Sequence, residues 1–260
     1  MLRQPGRLAR YCSGNGVFSR AVHHRRLIRP NWFIVATHLT PAPAPADILP
    51  PSLPLPQRAW PAAWARPGFR VRLGSVAVLL LGLLAVVPGF YRFVQARPGP
   101  VLADPLLGLL PVQDHSVLIF ALIYGAIAAT LVYLLPRPKH LLQTLWAYYL
   151  LQLMRMATLW LLPLDPPAAL VMLRDPLVDR LFEVTTQPIV RDLFFSGHTA
   201  TMTLLTLAGQ GRRWRWALGL ATVAVGLLVL VQRVHYSYDV LVAPFFAWAA
   251  YWLAGRICRE

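Results

Sequence analysis

Two histidines in the C-terminal half of this chain stand in polar motifs beside apolar runs. His198 lies in "DLFFSGHTATMTLL" at residues 192–205, and His235 opens "HYSYD" at residues 235–239. An unpaired polar group in lipid costs roughly 2–7 kcal/mol, so a helix entering a membrane normally excludes a titratable ring. The position of these rings therefore indicates a chemical role.

The second motif favours a nucleophilic imidazole. His235 and Asp239 are four residues apart, which on a helix brings their side chains to one face. A carboxylate on one ring nitrogen fixes the tautomer and leaves the lone pair of the other nitrogen free to attack. His198 can then act as general acid or base. The pair predicts phosphoryl transfer through a phosphohistidine, whereas a structural histidine–carboxylate pair is the alternative.

Neighbouring residues fit an anionic substrate. Both motifs stand where a helix is expected to begin, and helix N-termini present free N–H groups and a positive dipole end. Gly197, which lacks a side chain, would let a phosphoryl group approach the backbone closely. Arg155 lies inside an apolar segment, where phosphate or headgroup binding and structural ion pairing both remain open. Ser196 is an alternative nucleophile, but "FSGHT" lacks the Gly-x-Ser-x-Gly elbow.

Composition places these motifs in a membrane protein. The 260 residues are 57% apolar and 13% charged, with a mean hydropathy of +0.52. The net charge of +15 does not indicate nucleic-acid binding, because the basic residues cluster in the N-terminal arm and beside apolar runs. Cys12 and Cys258, near opposite ends, indicate neither a disulfide framework nor a zinc site.

Six apolar segments predict an all-α, six-span helix bundle, at about residues 73–93, 116–135, 141–164, 193–209, 216–232 and 239–255. Four groups of basic residues fall on one side of these spans: Arg66, Arg70 and Arg72; Arg137 and Lys139; Arg212, Arg213 and Arg215; Arg256 and Arg259. The positive-inside rule makes that side cytoplasmic. Both termini are then cytoplasmic, and the two histidines share the periplasmic or lumenal face.

The N-terminal arm, residues 1–70, is predicted to be disordered and separate from the membrane domain at 71–260. It is rich in arginine, has no acidic residue before Asp47, and continues into "TPAPAPADILPPSLPLP". Such a segment cannot build a hydrophobic core. A transit peptide and an upstream start codon in an arginine-rich reading frame both account for it.

The motif pair resembles the signature of the type 2 phosphatidic acid phosphatase superfamily, and more closely its sphingomyelin synthase branch. In that branch "D-x-x-x-S-G-H-T" and "H-Y-[ST]-x-D-V" flank two spans, and residues 192–199 and 235–240 fit both patterns. "RMAT" at 155–158 is a weaker match. The phosphatase branch expects Lys-x6-Arg-Pro, which Lys139 does not fit, and an arginine where Val229 stands. These departures favour the synthase branch and leave the phosphate-binding cation unassigned.

The resemblance implies a role for each matched residue. His235 would be the nucleophile, Asp239 its orienting carboxylate, and His198 the proton donor to the leaving alkoxide and later the base for the acceptor hydroxyl. The implied substrate- or phosphate-binding residues are Arg155, Asp192, Ser196, Gly197 and Thr199. No metal or other cofactor is implied.

The resemblance also implies a function. The chain would move a phospho-headgroup from a phospholipid donor to a lipid alcohol, ceramide or diacylglycerol. A lipid phosphate phosphatase, with water as acceptor, is the first alternative. A catalytically silent scaffold or small transporter is the second, and the intact set of His198, His235 and Asp239 argues against it. The oligomeric state, the headgroup and the choice between transfer and hydrolysis are not indicated.

Overall fold

A computed structural model describes residues 55–175 and 189–259, with side chains from residue 59 onward. The chain divides into two units, Met1–Leu49 and Pro50–Glu260, and every described residue belongs to the second. The described residues form eight helices and no strand: α1 Leu55–Trp64, α2 Pro67–Gln95, α3 Pro105–Gly108, α4 Ser116–Leu134, α5 Pro138–Leu161, α6 Gly197–Ala208, α7 Arg212–Val231 and α8 Ser237–Ile257. The predicted all-α class is confirmed for this part of the chain.

Four helices are long and apolar enough to cross a membrane: α2, α4, α7 and α8. They have 19 to 29 residues, which at 1.5 Å per residue gives lengths of about 28 to 44 Å. The hydrocarbon core of a bilayer is about 30 Å thick. These helices support a polytopic membrane protein.

The other two predicted crossings are not confirmed. Helix α6 has only 12 residues and is about 18 Å long, because Leu193–Ser196, expected to be helical, approaches the helix in an irregular conformation. Helix α5 has 24 residues but carries His140, Gln143, Gln152 and Arg155 between its apolar residues. Six crossings therefore stay a prediction.

Part of the predicted N-terminal arm is helical. Residues 1–54 lie outside the described residues, whereas residues 55–70 contain α1 and the first turn of α2. The indole N–H of Trp60 donates to the Leu135 carbonyl at 2.6 Å, and its ring meets Phe69 edge to face. Aromatic contacts with the bundle thus order a segment for which composition predicted disorder. The proposed boundary at residue 70 falls inside α2.

Small residues bring three helices close together behind the histidine motifs. Ala243, Ala247, Ala250 and Ala254 form one stripe along α8, and none of them is exposed. They pack with Ala147 and Leu151 of α5 and with Ala200 and Leu204 of α6. Small side chains let helix backbones approach closely, as in other membrane helix pairs. This packing fixes α6 and α8 side by side.

Candidate active site

His235 lies in the turn before α8, outside the helix on which its pairing with Asp239 was expected. Its Nδ1 atom is nevertheless 3.5 Å from Asp239 Oδ2, and both side chains are buried. The pair forms because Asp239, the third residue of α8, reaches back and accepts a hydrogen bond from the Tyr236 N–H at 3.0 Å. In this geometry His235 Nδ1 has no hydrogen-bond partner among the described residues.

His198 is the second residue of α6, and the helix begins with a conventional cap. Ser196 Oγ accepts from the Thr199 N–H at 3.3 Å, and Ser196 is completely buried. The ring of His198 stands edge to face with that of His235, with 5.9 Å between the ring centres. The ring of Phe120 packs against it on another side, 6.0 Å away. Two imidazoles are thus held within reach of one small group.

A backbone hydrogen bond joins the two motifs. The Ser196 N–H donates to the Asp239 carbonyl at 3.1 Å, so the first turns of α6 and α8 are tied directly. The two helices therefore begin at the same end of the bundle, as the sequence predicted. Because the link is between backbones, it does not depend on the identity of the side chains at these two positions.

A cavity of ≈ 50 Å³ opens between the rings. Three predicted site residues line it, namely Asp192, His198 and His235, together with the apolar side chains of Leu170, Met172, Leu173, Ile189, Val190 and Val234. At about 10–15 Å³ per water-sized probe, this volume holds about four water molecules. It therefore has room for a phosphoryl-sized group.

Arg155 enters the site from α5 and is almost fully buried. Its Nη2 atom lies 2.6 Å from Asp192 Oδ1 and donates to the Asp192 carbonyl at 3.2 Å, and its Nη1 donates to the Phe195 carbonyl. The ion pair that the sequence left open is thus present. Burial alone would raise the pKa of the Asp192 carboxyl, but the Arg155 charge lowers that pKa below its ordinary value. Asp192 is consequently ionised at neutral pH.

The space beside Gly197 is occupied by the Arg155 guanidinium. A Cβ atom added to Gly197 would lie 2.8 Å from Arg155 Cζ and 2.9 Å from its Nε. The glycine therefore admits a cation to the first turn of α6, where backbone access for a phosphoryl group was expected. The helix dipole leaves a positive region at the N-terminus of α6, whereas the charge of Arg155 beside it is paired with Asp192.

The two helix N-termini differ in the hydrogen bonds that their first N–H groups make to other described residues. The described hydrogen bonds leave the N–H groups of Gly197 and His198 without a partner. At α8, in contrast, the Tyr236 N–H donates to Asp239 Oδ2 and the Ser237 N–H donates to Asp104 Oδ2 at 2.6 Å. Two carboxylates therefore occupy N–H groups at the start of α8 that were expected to be free.

The remaining predicted site residues stand away from the cavity. Ser196 caps α6, and Thr199 is buried and faces Gly226 of α7 rather than the histidine rings. Tyr236, next to His235, is completely buried, and its hydroxyl donates to the Asp165 carbonyl at 2.8 Å. No group of three or more potential metal ligands converges among the described residues.

Sequence reasoning missed a buried glutamine that shapes the cavity wall. Gln232 Nε2 donates to Ser116 Oγ at 2.7 Å and to the Met172 carbonyl at 3.3 Å, and the Gln232 carbonyl accepts from the Val171 N–H. These bonds hold the segment that carries Met172 and Leu173 against the cavity. The sequence signal that could have indicated this role is the position of the Gln232 amide directly after the apolar run "GLLVLV".

Comparison with known proteins supports the superfamily. Residues 191–255 match the family model described as PAP2 superfamily C-terminal, and this quarter of the chain contains both histidines, Asp192 and Asp239. The match indicates chemistry of the lipid phosphatase or phosphotransferase type, without support for the sphingomyelin synthase branch. No curated protein and no solved structure matches the chain.

Proposed function

We propose that this chain is an integral membrane phosphotransferase that moves a phospho-headgroup from a phospholipid to a lipid alcohol, ceramide or diacylglycerol, through a phosphohistidine on His235. The observation that carries the proposal is the pair of imidazoles 5.9 Å apart at one cavity. Among the described residues, His235 and not His198 has a carboxylate within ion-pair distance of its ring. This asymmetry assigns the nucleophile and the proton carrier to different rings.

In the first step, His235 Nε2 attacks the phosphorus of the donor. Its Nδ1–H faces Asp239, which stabilises the positive charge that develops on the ring. The bond between phosphorus and the diacylglycerol oxygen breaks, and its electron pair stays on that oxygen. His198, in its protonated form, gives this oxygen a proton. The products are diacylglycerol and a phosphohistidine that carries the headgroup.

In the second step, the acceptor hydroxyl loses its proton to His198 and its oxygen attacks the phosphorus. The N–P bond breaks, and its electrons return to His235 Nε2. A reacting nitrogen about 3–3.5 Å from phosphorus and a proton carrier about 2.6–3.2 Å from an ester oxygen can both be accommodated by rings at this separation. Both steps therefore use the same two side chains with opposite proton movements.

Charge on the phosphoryl oxygens is balanced by the positive region at α6. The Gly197 and His198 N–H groups have no partner among the described residues, and the Arg155 guanidinium lies directly beside Gly197. Such fixed donors stabilise developing negative charge without reorganising during the reaction. We assign the missing phosphate-binding cation to Arg155 acting at this turn.

Gly197→Ala tests this assignment. The added methyl group must displace the buried guanidinium, and we expect kcat/KM for a labelled phospholipid donor to fall by about 100-fold, as for other 1 Å displacements in active sites. Gly125→Ala on α4 is the matched control, since nothing lies within 4 Å of its Cβ position. Wild-type turnover in Gly197→Ala would mean that the position of Arg155 does not matter to the reaction.

The apolar cavity wall favours a lipid acceptor over water. Six of its nine lining residues are aliphatic or methionine side chains, and Phe194 and Phe246 pack beside the two motifs. An apolar surrounding limits the access of water to the phosphoenzyme. A lipid hydroxyl in the same bilayer is present at high local concentration. These features support transfer as the productive fate of the intermediate.

The choice of acceptor can be measured as a product ratio. With purified protein in mixed micelles, added ceramide or diacylglycerol should divert label from free phosphate or free phospho-headgroup into a new phospholipid. Product identity is followed against acceptor concentration, with an acylglycerol that lacks a free hydroxyl as control. Dominant release of free phosphate from phosphatidic acid, unchanged by either acceptor, would establish a lipid phosphate phosphatase instead.

A phosphatase is the second candidate, and the size of the cavity favours it. Room for about four water molecules is enough for a phosphoryl group and a hydrolytic water. The same two steps then apply, with water in place of the lipid hydroxyl. The proposed roles of His198, His235 and Asp239 are common to both candidates.

The proposal includes an active face on the periplasmic or lumenal side, with both termini in the cytoplasm. The warrant is the distribution of basic residues at the opposite helix ends. A reporter that is active only outside the cytoplasm should be active when fused after Asp175 and silent when fused after Arg213. The reverse pattern would place the site on the cytoplasmic face.

A further inference from the structure

A second cavity lies at the other end of α8. It has a volume of ≈ 290 Å³ and is lined by Phe69, Arg72, Lys139, Leu142, Cys258 and Arg259. Cys258 directly follows the last residue of α8, whereas His235 precedes the first. The 21-residue helix α8 that separates them is about 31 Å long. This cavity is therefore distinct from the candidate active site.

Among the described residues, the lining of this cavity carries three cations and no carboxylate. Arg72 comes from α2, Lys139 from the first turn of α5, and Arg259 from the segment after α8. Arg72 Nη2 donates to the Arg259 carbonyl at 3.3 Å, which holds the guanidinium at the cavity. The remaining walls are apolar, from Phe69 and Leu142. A cavity whose described lining combines apolar side chains with three positive charges is suited to an amphiphilic anion.

The start of α5 adds to the positive potential. Its first turn contains no acidic residue, and the described backbone hydrogen bonds leave the Lys139 N–H without a partner. A helix N-terminus carries about half a positive elementary charge. Lys139 is the second residue of α5, so the positive end of the helix dipole and the Lys139 ammonium both add to the positive potential at this cavity.

The general excess of basic residues at cytoplasmic helix ends explains the sign of these charges but not their arrangement. Arg212 and Arg213, at the start of α7, belong to the same excess and are exposed. They line neither of the two cavities described here. Arg72, Lys139 and Arg259, by contrast, come from three separate parts of the sequence and converge on one cavity.

We propose that this cavity binds the phosphate group of an anion, with Arg72, Lys139 and Arg259 as its ligands. Basic pockets between membrane helices are sites for anionic lipid headgroups, and the apolar walls fit the acyl-linked part of such a lipid. A soluble phosphate compound offers the same charged group. The two sources share one chemistry and are separated by the experiment.

Binding is measured on the purified full-length protein in neutral detergent, by native mass spectrometry and by thermal stability. The probes are phosphatidylglycerol, phosphatidylcholine and inorganic phosphate. We expect phosphatidylglycerol to bind and to raise the melting temperature, with phosphatidylcholine inactive and the effect reduced by added salt. Binding and stabilisation by inorganic phosphate would support the same site with a soluble ligand as its source.

Variants of the lining residues test whether the lipid binds at this cavity. Arg72→Gln with Lys139→Gln should weaken binding by about tenfold or more. If this double variant does not fold, Lys139→Gln alone serves instead, because Lys139 is exposed, and its expected loss of binding is smaller. Arg212→Gln with Arg213→Gln is the control of equal charge. Equal losses in the two pairs would reduce the effect to net charge and overturn the proposal.

Two further variants test whether binding depends on the candidate active site or on the C-terminal carboxylate side chain. His235→Asn should bind phosphatidylglycerol like the wild type, since it alters only the distant site, so the test is independent of the proposed reaction.

Glu260 follows Arg259 and lies outside the described residues. Binding that appears only in Glu260→Gln would show that the chain's own carboxylate occupies the cavity, and would overturn the proposal.

Discussion

His235→Ala is expected to reduce turnover by about 10³-fold or more, because it removes the atom that forms the covalent intermediate. The side chain is buried, but it makes no hydrogen bond that other elements depend on. Helix α8 keeps its caps from Asp104 and Asp239 in the variant, so the fold should persist. Expression, melting temperature and turnover of a labelled phospholipid are measured together.

The covalent intermediate gives a second readout for the same variant. A donor labelled on phosphorus should leave acid-labile, base-stable label on the wild-type protein after rapid quenching, and none on His235→Ala. His115→Ala is the matched control, since His115 is a histidine outside the cavity. Retained turnover in a folded His235→Ala protein would refute the mechanism. Label on His198 in that variant would exchange the roles of the two rings.

His198→Ala is expected to slow both transfer and hydrolysis by about 10²–10⁴-fold, the usual contribution of a positioned proton carrier. The loss should depend on the leaving group. An alkoxide needs a proton as it departs, whereas p-nitrophenolate does not. With a p-nitrophenyl phosphate ester, the first step should therefore recover in His198→Ala and remain absent in His235→Ala.

The comparison of the two esters decides the role of His198. The ratio of variant to wild-type rates for formation of the phosphoenzyme is measured with the alkyl and the nitrophenyl substrate. An equal loss with both would show that His198 acts only by positioning, through its contacts with Phe120 and the ring of His235. The ratio is insensitive to partial unfolding, which lowers both rates alike.

Much of the helical organisation followed from apolar patterning alone. The six segments predicted from composition correspond to α2, α4, α5, α6, α7 and α8, because long apolar runs have few other structures available in a membrane. The length of α6 was overestimated because Leu193–Ser196 is apolar enough to continue a helix. The backbone of this segment is instead irregular, and Arg155 donates to the carbonyls of Phe195 and Asp192 beside it. Hydropathy does not register such a tertiary constraint.

The candidate site was predictable where residues act within one motif. The separation of four residues correctly predicted that His235 and Asp239 are neighbours, although the contact arises at a helix cap and not along a helix face. The contacts that cross the chain were not predictable. Asp104 caps α8 from 133 residues away, and Arg155 fills the space at Gly197. A single sequence contains no information on which distant residues meet.

The hydrogen bond from the Ser196 N–H to the Asp239 carbonyl bears on what would move during the proposed reaction cycle. Because the two histidine segments are joined through their backbones, the groups of the proposed mechanism stand side by side before any substrate arrives. The moving partner is the lipid, whose phosphate must rise or tilt to reach a stationary pair of rings. Turnover should consequently follow the fluidity and thickness of the surrounding bilayer more closely than the flexibility of the chain.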